Sequence, residues 1–137
     1  MQEWEEACGP DAIRDWRTFV EAVDRSAVVG LKWSNYRRGA PYLYLPHTSV
    51  GSVGVLRLFD KKPRVRDLMY KPIWNSDQKA QDARQAFRKA LLDQVPGAAL
   101  GDVGQFFASV KAVADQRDAV IKAISNVAAE LRARADS

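Results

Sequence analysis

Residues 42–59 read YLYLPHTSVGSVGVLRLF, and their pattern decides the fold class. Tyr42-Leu43-Tyr44-Leu45 alternates strictly, which marks a strand with one buried face. Val50 to Phe59 reads as a longer strand, with Gly51 and Gly54 as candidate bulges. Working outward, Val28, Val29, Leu31 and Trp33 suggest a strand before this pair, and Arg64 to Tyr70 a strand after it. Pro41, Pro46, Pro63 and Pro72 punctuate these segments at positions where proline is tolerated. The links between them are short, and parallel neighbours would need long crossovers. An antiparallel sheet of about four strands is therefore expected, arranged as a meander.

Helical periodicity surrounds this block. Residues 10–24 open on Pro10 and Asp11, a suitable helix start, and carry a stripe of Ile13, Trp16, Val20 and Val23. Trp16 and Phe19 are expected in the core. Residues 76–95 repeat the pattern with Ala80, Ala83, Phe87 and Leu91; Ser76 or Asp77 can cap the start and Pro96-Gly97 ends it.

The most regular period lies in residues 102–135. Val103, Val110, Arg117, Ile124 and Leu131 recur every seven residues, and Phe106, Val113, Val120 and Val127 recur at an offset of three. This is an a/d heptad with one polar a position, Arg117. A single helix of this length would extend about 50 Å at 1.5 Å per residue. A globule of this size has a radius of gyration of about 14 Å. The segment is expected either to project and self-associate through these nine positions, giving a homo-oligomer, or to break near Asp115–Asp118 into a hairpin. The fold class is thus α+β: an N-terminal helix, the antiparallel sheet, a helix, and a long or broken C-terminal helix. Residues 1–100 form the α+β part, and residues 101–137 are either part of the same domain or a self-association arm.

At 137 residues and 47% hydrophobic, the chain can bury a core without staples and is not a disordered sequence. One cysteine, Cys8, rules out an internal disulfide and a cysteine-based zinc site, and fits a reducing compartment. The acidic start, Met-Gln-Glu-Trp-Glu-Glu, is not a secretory signal, and no apolar run reaches the length of a membrane span. A cytoplasmic protein is expected. Thirteen arginines against eight lysines, with twenty alanines, suggest a GC-rich bacterial or phage genome.

The net charge of +4 is unevenly distributed. Residues 1–24 hold seven acids against two bases, a net of −5. Residues 25–89 hold fourteen bases against four acids, a net of +10. Residues 90–137 hold five bases against six acids, a net of −1. A polyanion would meet the middle block first, unless the acidic first segment folds against it.

Strand alternation sorts that block onto two faces. With Leu43, Leu45, Leu56, Leu58, Val65 and Met69 inward, Tyr42, Tyr44, Arg57, Arg64, Arg66 and Tyr70 point outward, and Lys32 joins them. Arg37, Arg38, Lys61 and Lys62 flank them from loops. Aromatic rings for bases and cations for phosphates are what binders of single-stranded nucleic acid combine. The bland alternative is that the tyrosines pack beneath a helix while the arginines snorkel around it.

Catalytic readings are weaker. Asp60-Lys61-Lys62 contains the Asp-x-Lys of metal-dependent nucleases, but the second carboxylate would have to come from Glu21 or Asp24. Asp60 before Lys-Lys-Pro also reads as a turn. His47, the single histidine, could serve acid–base cleavage of RNA, yet lone loop histidines are mostly just polar. Gly51-Ser52-Val53-Gly54 has neither the lysine of a phosphate-binding loop nor the spacing of a nucleophile elbow. Cys8 sits among acids, which disfavours a thiolate. The expectation is a non-catalytic nucleic-acid-binding protein with no cofactor and no metal. A protein-binding inhibitor, adaptor or assembly component engaging an acidic protein is the alternative, and a metal-dependent nuclease the third reading.

Overall fold

The alternation in residues 42–58 becomes two strands of one antiparallel sheet. The computed structural model describes residues 9–26, 31–34, 42–58, 64–69, 72–102 and 104–131. In chain order these form α1 (Pro10–Ser26), β1 (Lys32–Ser34), β2 (Tyr42–Thr48), β3 (Gly51–Leu58), β4 (Arg64–Asp67), α2 (Ile73–Ser76), α3 (Gln78–Gln94), β5 (Ala99–Leu100), β6 (Phe106–Ser109), α4 (Val110–Asp115) and α5 (Arg117–Glu130). Among the described residues the sheet has six strands in the order β1-β2-β3-β4-β6-β5, every neighbouring pair antiparallel. The chain is therefore α+β, and β1 to β4 form the expected meander. Two further strands, β6 and β5, extend it beyond β4.

The β2–β3 hairpin shows why its alternation changes phase. Leu43 pairs with Leu56, but Tyr44 pairs with Gly54, so Val55 is an extra residue, a bulge. Both Leu43–Leu56 and Leu45–Val53 then face the core despite the shift. A second irregularity lies between Leu45 and Thr48. Pro46 falls there, where its missing N–H breaks no regular ladder bond. The turn closes on Gly51, whose φ of 95° is the left-handed region a glycine enters without strain. Ser49 N–H donates to the Leu131 carbonyl (2.7 Å), tying this turn to the end of α5.

α1, α3, α4 and α5 contact one another and form the second layer, sharing one hydrophobic core with the inner face of the sheet. Ile13, Trp16, Phe19 and Val23 line the buried side of α1, with the Trp16 and Phe19 rings 5.6 Å apart. Asp77 caps α3 by accepting from Ala80 N–H, and Ala80, Ala83, Phe87 and Leu91 are all buried. Leu43, Leu45, Leu56, Val65 and Met69 are buried from the sheet.

Residues 102–135 are not one helix. Phe106–Ser109 is strand β6, paired with β4. Ser109 then caps α4 by accepting from Ala112 N–H, and Gln116 separates α4 from α5. Arg117, the polar heptad position, donates to the Ala114 carbonyl (3.0 Å) in the last turn of α4. The 14 residues of α5 span about 21 Å, not 50 Å. Phe106, Val110, Val113, Val120, Ile124, Val127 and Leu131 are each at most 1% exposed within this one chain. The stripe read as a self-association seam is internal packing, and in this conformation those side chains cannot also face a second copy. Val103 lies outside the described residues. Residues 106–131 share the sheet and the hydrophobic core with the described residues of 9–100. No helix among the described residues is long and apolar enough to cross a membrane.

One buried polar group anchors the assembly. Asp67, at the end of β4, is fully buried. Its carboxylate accepts from Arg88 Nε (2.8 Å) and Nη2 (3.0 Å) on α3, from Phe106 N–H (2.8 Å) at the start of β6, and from Met69 N–H (2.9 Å). Arg88 and Arg84 both donate to the Met69 carbonyl, and Arg84 also reaches Asn75 Oδ1 (2.7 Å). Burial, then the neighbouring Arg88 charge, lowers the Arg84 pKa, while Asp67 opposes that shift.

Asp67→Asn keeps the volume and removes the charge, so it leaves Arg88 facing a neutral partner in a buried site. It is expected to destabilise by about 3–5 kcal/mol, read as a lower denaturation midpoint. Replacing the pair together, as D67L/R88M, is often neutral for buried ion pairs. Here it orphans the Phe106 and Met69 N–H groups, each worth about 1–3 kcal/mol when left unsatisfied, so the double variant is expected to remain destabilised.

Candidate nucleic-acid interface

The register of the sheet decides which side chains share its outer face. Directly paired residues of an antiparallel ladder point the same way. Tyr42 pairs with Arg57, Arg57 with Arg66, and Arg66 with Phe107, so these four form one row across β2, β3, β4 and β6. Two residues along, Tyr44 pairs with Lys32 and Gly54; on the other side of the row, Arg64 pairs with Ser109. The structure thus brings Lys32, Tyr42, Tyr44, Arg57, Arg64 and Arg66 onto one face. All are half-buried except Lys32, which is exposed.

Charge separates between the two sides of the sheet. Within the described strands the one acid is Asp67, which faces inward and is consumed by Arg88. The outer face carries Lys32, Arg57, Arg64 and Arg66. Arg57 and Arg66 are directly opposite each other, an arrangement of like charges that destabilises a ladder. Arg64 lies two residues from Arg66 on the same strand, which places three guanidinium groups on two central strands.

Aromatic groups flank these cations. The Tyr42 and Tyr44 rings are 5.9 Å apart and inclined at 54°, so they are tilted rather than stacked on one another. At the other end, the Arg64 guanidinium sits over the Phe107 ring, 5.3 Å from its centroid, within cation–π range. Phe107 also lies against the backbone of Gly101: a Cβ placed there would come within 2.5 Å of its ring. Gly101 is thus a close-approach glycine, in the tight link between β5 and β6 where its N–H donates to the Gln105 carbonyl (2.7 Å). Tyr42, Arg57, Arg64, Arg66 and Phe107 all take part in further interactions within the chain. An incoming ligand would exchange partners here.

Phe107 is the residue that sequence reasoning missed. The heptad placed it in a helix, where it would have stood beside the seam. Phe106-Phe107-Ala108-Ser109 alternates in burial along the strand, but in sequence three successive apolar residues carry no period of two to set against a heptad running over thirty residues. Arg37, Arg38, Lys61, Lys62 and Tyr70 lie outside the described residues, as do Cys8 and the Asp60 of the Asp-x-Lys tripeptide. Glu21 and Asp24 are exposed on α1. Among the described residues no three His, Cys, Asp or Glu side chains come together as metal ligands would. No protein family, curated protein or solved structure matches this chain.

Gly101→Ala drives a methyl group into the Phe107 ring. It is expected to displace the ring from beneath Arg64 and to destabilise by about 1–3 kcal/mol, as overpacking does. The displacement is checked by the change in ring-current shift on the Arg64 side-chain protons.

Proposed function

We propose that the protein binds nucleic acid through the outer face of its sheet, without catalysing a reaction on it. The observation that carries this reading is the row Tyr42–Arg57–Arg66–Phe107, with Arg64 beside it. Three arginines occupy the centre of a sheet face that carries no acid among the described strand residues. Like charges opposite one another weaken a sheet, and a polyanion suits this pattern alongside the partners these arginines already have within the chain. Arginine suits the task, because its planar fork meets phosphate oxygens in pairs and remains charged at every physiological pH. The rest of the molecule supports rigidity rather than chemistry. The face rests on a fully packed core, and its middle strand is clamped from below by Asp67 and Arg88.

Phosphate contacts release counterions, and affinity for a single strand falls with a log–log slope of about −0.7 per contact. Contacts from Arg57, Arg64 and Arg66, with or without Lys32, give a slope of about −2 to −3. Raising salt from 50 to 200 mM is then expected to weaken binding by about 20-fold or more. Arg64→Glu combined with Arg66→Glu is expected to lower affinity at least tenfold and to flatten the salt slope, with the circular dichroism spectrum unchanged. Fluorescence anisotropy of labelled oligonucleotides measures both. Unaltered affinity in the R64E/R66E variant would remove the face as the binding site. Recovery of one acidic protein from nuclease-treated extract, with no oligonucleotide binding at low salt, would transfer the face to a protein partner.

A further inference from the structure

We infer that the ligand of this face is a single strand, its bases stacking on two planar groups at the ends of the arginine row. This rests on the nucleic-acid reading above and narrows it. The first ground is the width of the sheet. Six strands at about 4.8 Å spacing make a face about 24 Å across, twice the roughly 12 Å of a duplex major groove. A face of that width does not fit an undistorted groove as a helix or a two-stranded ribbon does. Against an undistorted duplex it touches phosphates only, and its aromatic rings meet no base face, since paired bases present only their edges.

The second ground is the order of groups along the row. Tyr42 with Tyr44 stands at one end, Arg57 and Arg66 lie in the middle, and Phe107 beneath Arg64 stands at the other end. Unpaired bases stack on aromatic rings and equally on arginine planes. The Arg64 guanidinium, 5.3 Å from the Phe107 ring centroid, is such a plane. Between the two ends the linking phosphates pass over Arg57 and Arg66. The third ground is the spacing. Tyr42 and Phe107 are separated by three strand steps, about 14 Å, which corresponds to about four stacking intervals of 3.4 Å, or about five nucleotides. The strand crosses the β-strands at a right angle, from β2 to β6.

The test is anisotropy of the full chain at 50 mM salt with labelled dT12, rU12 and a 12-base-pair duplex, followed by dT oligonucleotides of two to ten residues. The single strands are expected to bind at least tenfold tighter than the duplex. Affinity is expected to climb with length to about four or five nucleotides and then to level. Tyr42→Ala with Tyr44→Ala is expected to weaken dT12 binding at least tenfold, while Tyr42→Phe with Tyr44→Phe stays within about twofold, because stacking uses the ring and not the hydroxyl. Should the alanine pair fail to fold, the strand-to-duplex ratio and the length series of the wild-type chain decide the matter unaided. Equal or tighter duplex binding that R64E/R66E abolishes and the tyrosine variants leave intact would overturn the single-strand inference and keep the nucleic-acid reading. No binding of strand or duplex at 50 mM salt would overturn both.

Discussion

The Asp67 carboxylate is the point on which this structure depends. It joins three elements that are distant in sequence: the end of β4, the first residue of β6, and the middle of α3. A buried charge is tolerated only where its lone pairs are filled, and four donors fill them here. Two of those donors are backbone N–H groups, one at the start of β6 and one just past the end of β4. The carboxylate thus does for the sheet corner what a further strand would do, and it does so in one geometry. Hydrophobic packing of helices on a sheet tolerates small slides, whereas this cluster does not. It therefore supplies orientation more than net stability, since the desolvation of both ions offsets much of their attraction.

The two sides of the sheet follow from this division. Apolar side chains of β2, β3, β4 and β6 face the helices, with Asp67 as the single charged exception. Cations and aromatic rings collect on the other side. The short outer strands, three residues in β1 and two in β5, leave little edge for another chain to extend. The face, rather than the edge, is the part of the sheet with distinctive chemistry.

Much of this was legible in the sequence, for reasons that differ by element. The period of two in residues 42–45 has one structural meaning at that length, so β2 and its facing tyrosines could be placed. Asp77 as a cap and Pro96-Gly97 as a stop bracket α3 closely, because capping chemistry is local. Of the two glycines that the sequence offered as bulge positions, Gly54 lies beside the bulge at Val55 and Gly51 closes the turn. The C-terminal third misled because a seven-residue spacing does not say what covers the stripe. Phe106 on a strand, Val110 on a short helix and Ile124 on a second helix keep the heptad and still point into one core. Ser109 and Gln116 break the segment, and neither is a strong stop signal by itself. Asp67 was invisible for a different reason. Nothing in Arg64-Val65-Arg66-Asp67 distinguishes a buried acid from a surface one until Arg88, twenty-one residues later, is known to reach it.

The clamp and the outer face meet in β4. Arg64, Val65, Arg66 and Asp67 alternate out, in, out, in, so the register that buries Asp67 also turns both arginines outward. Slipping β4 by one residue would place guanidinium groups in the core and the carboxylate outside. Hydrophobic pattern alone resists that slip weakly, because Val65 is the only large apolar side chain among the four. The bonds from Asp67 to Arg88 and to Phe106 N–H resist it strongly, since each fails at any other register. The same bonds set the start of β6 and so bring Phe107 level with Arg66. A single inward carboxylate thereby positions two arginines and an aromatic ring on the opposite surface. This coupling explains why the strand with the least hydrophobic character occupies the middle of the sheet.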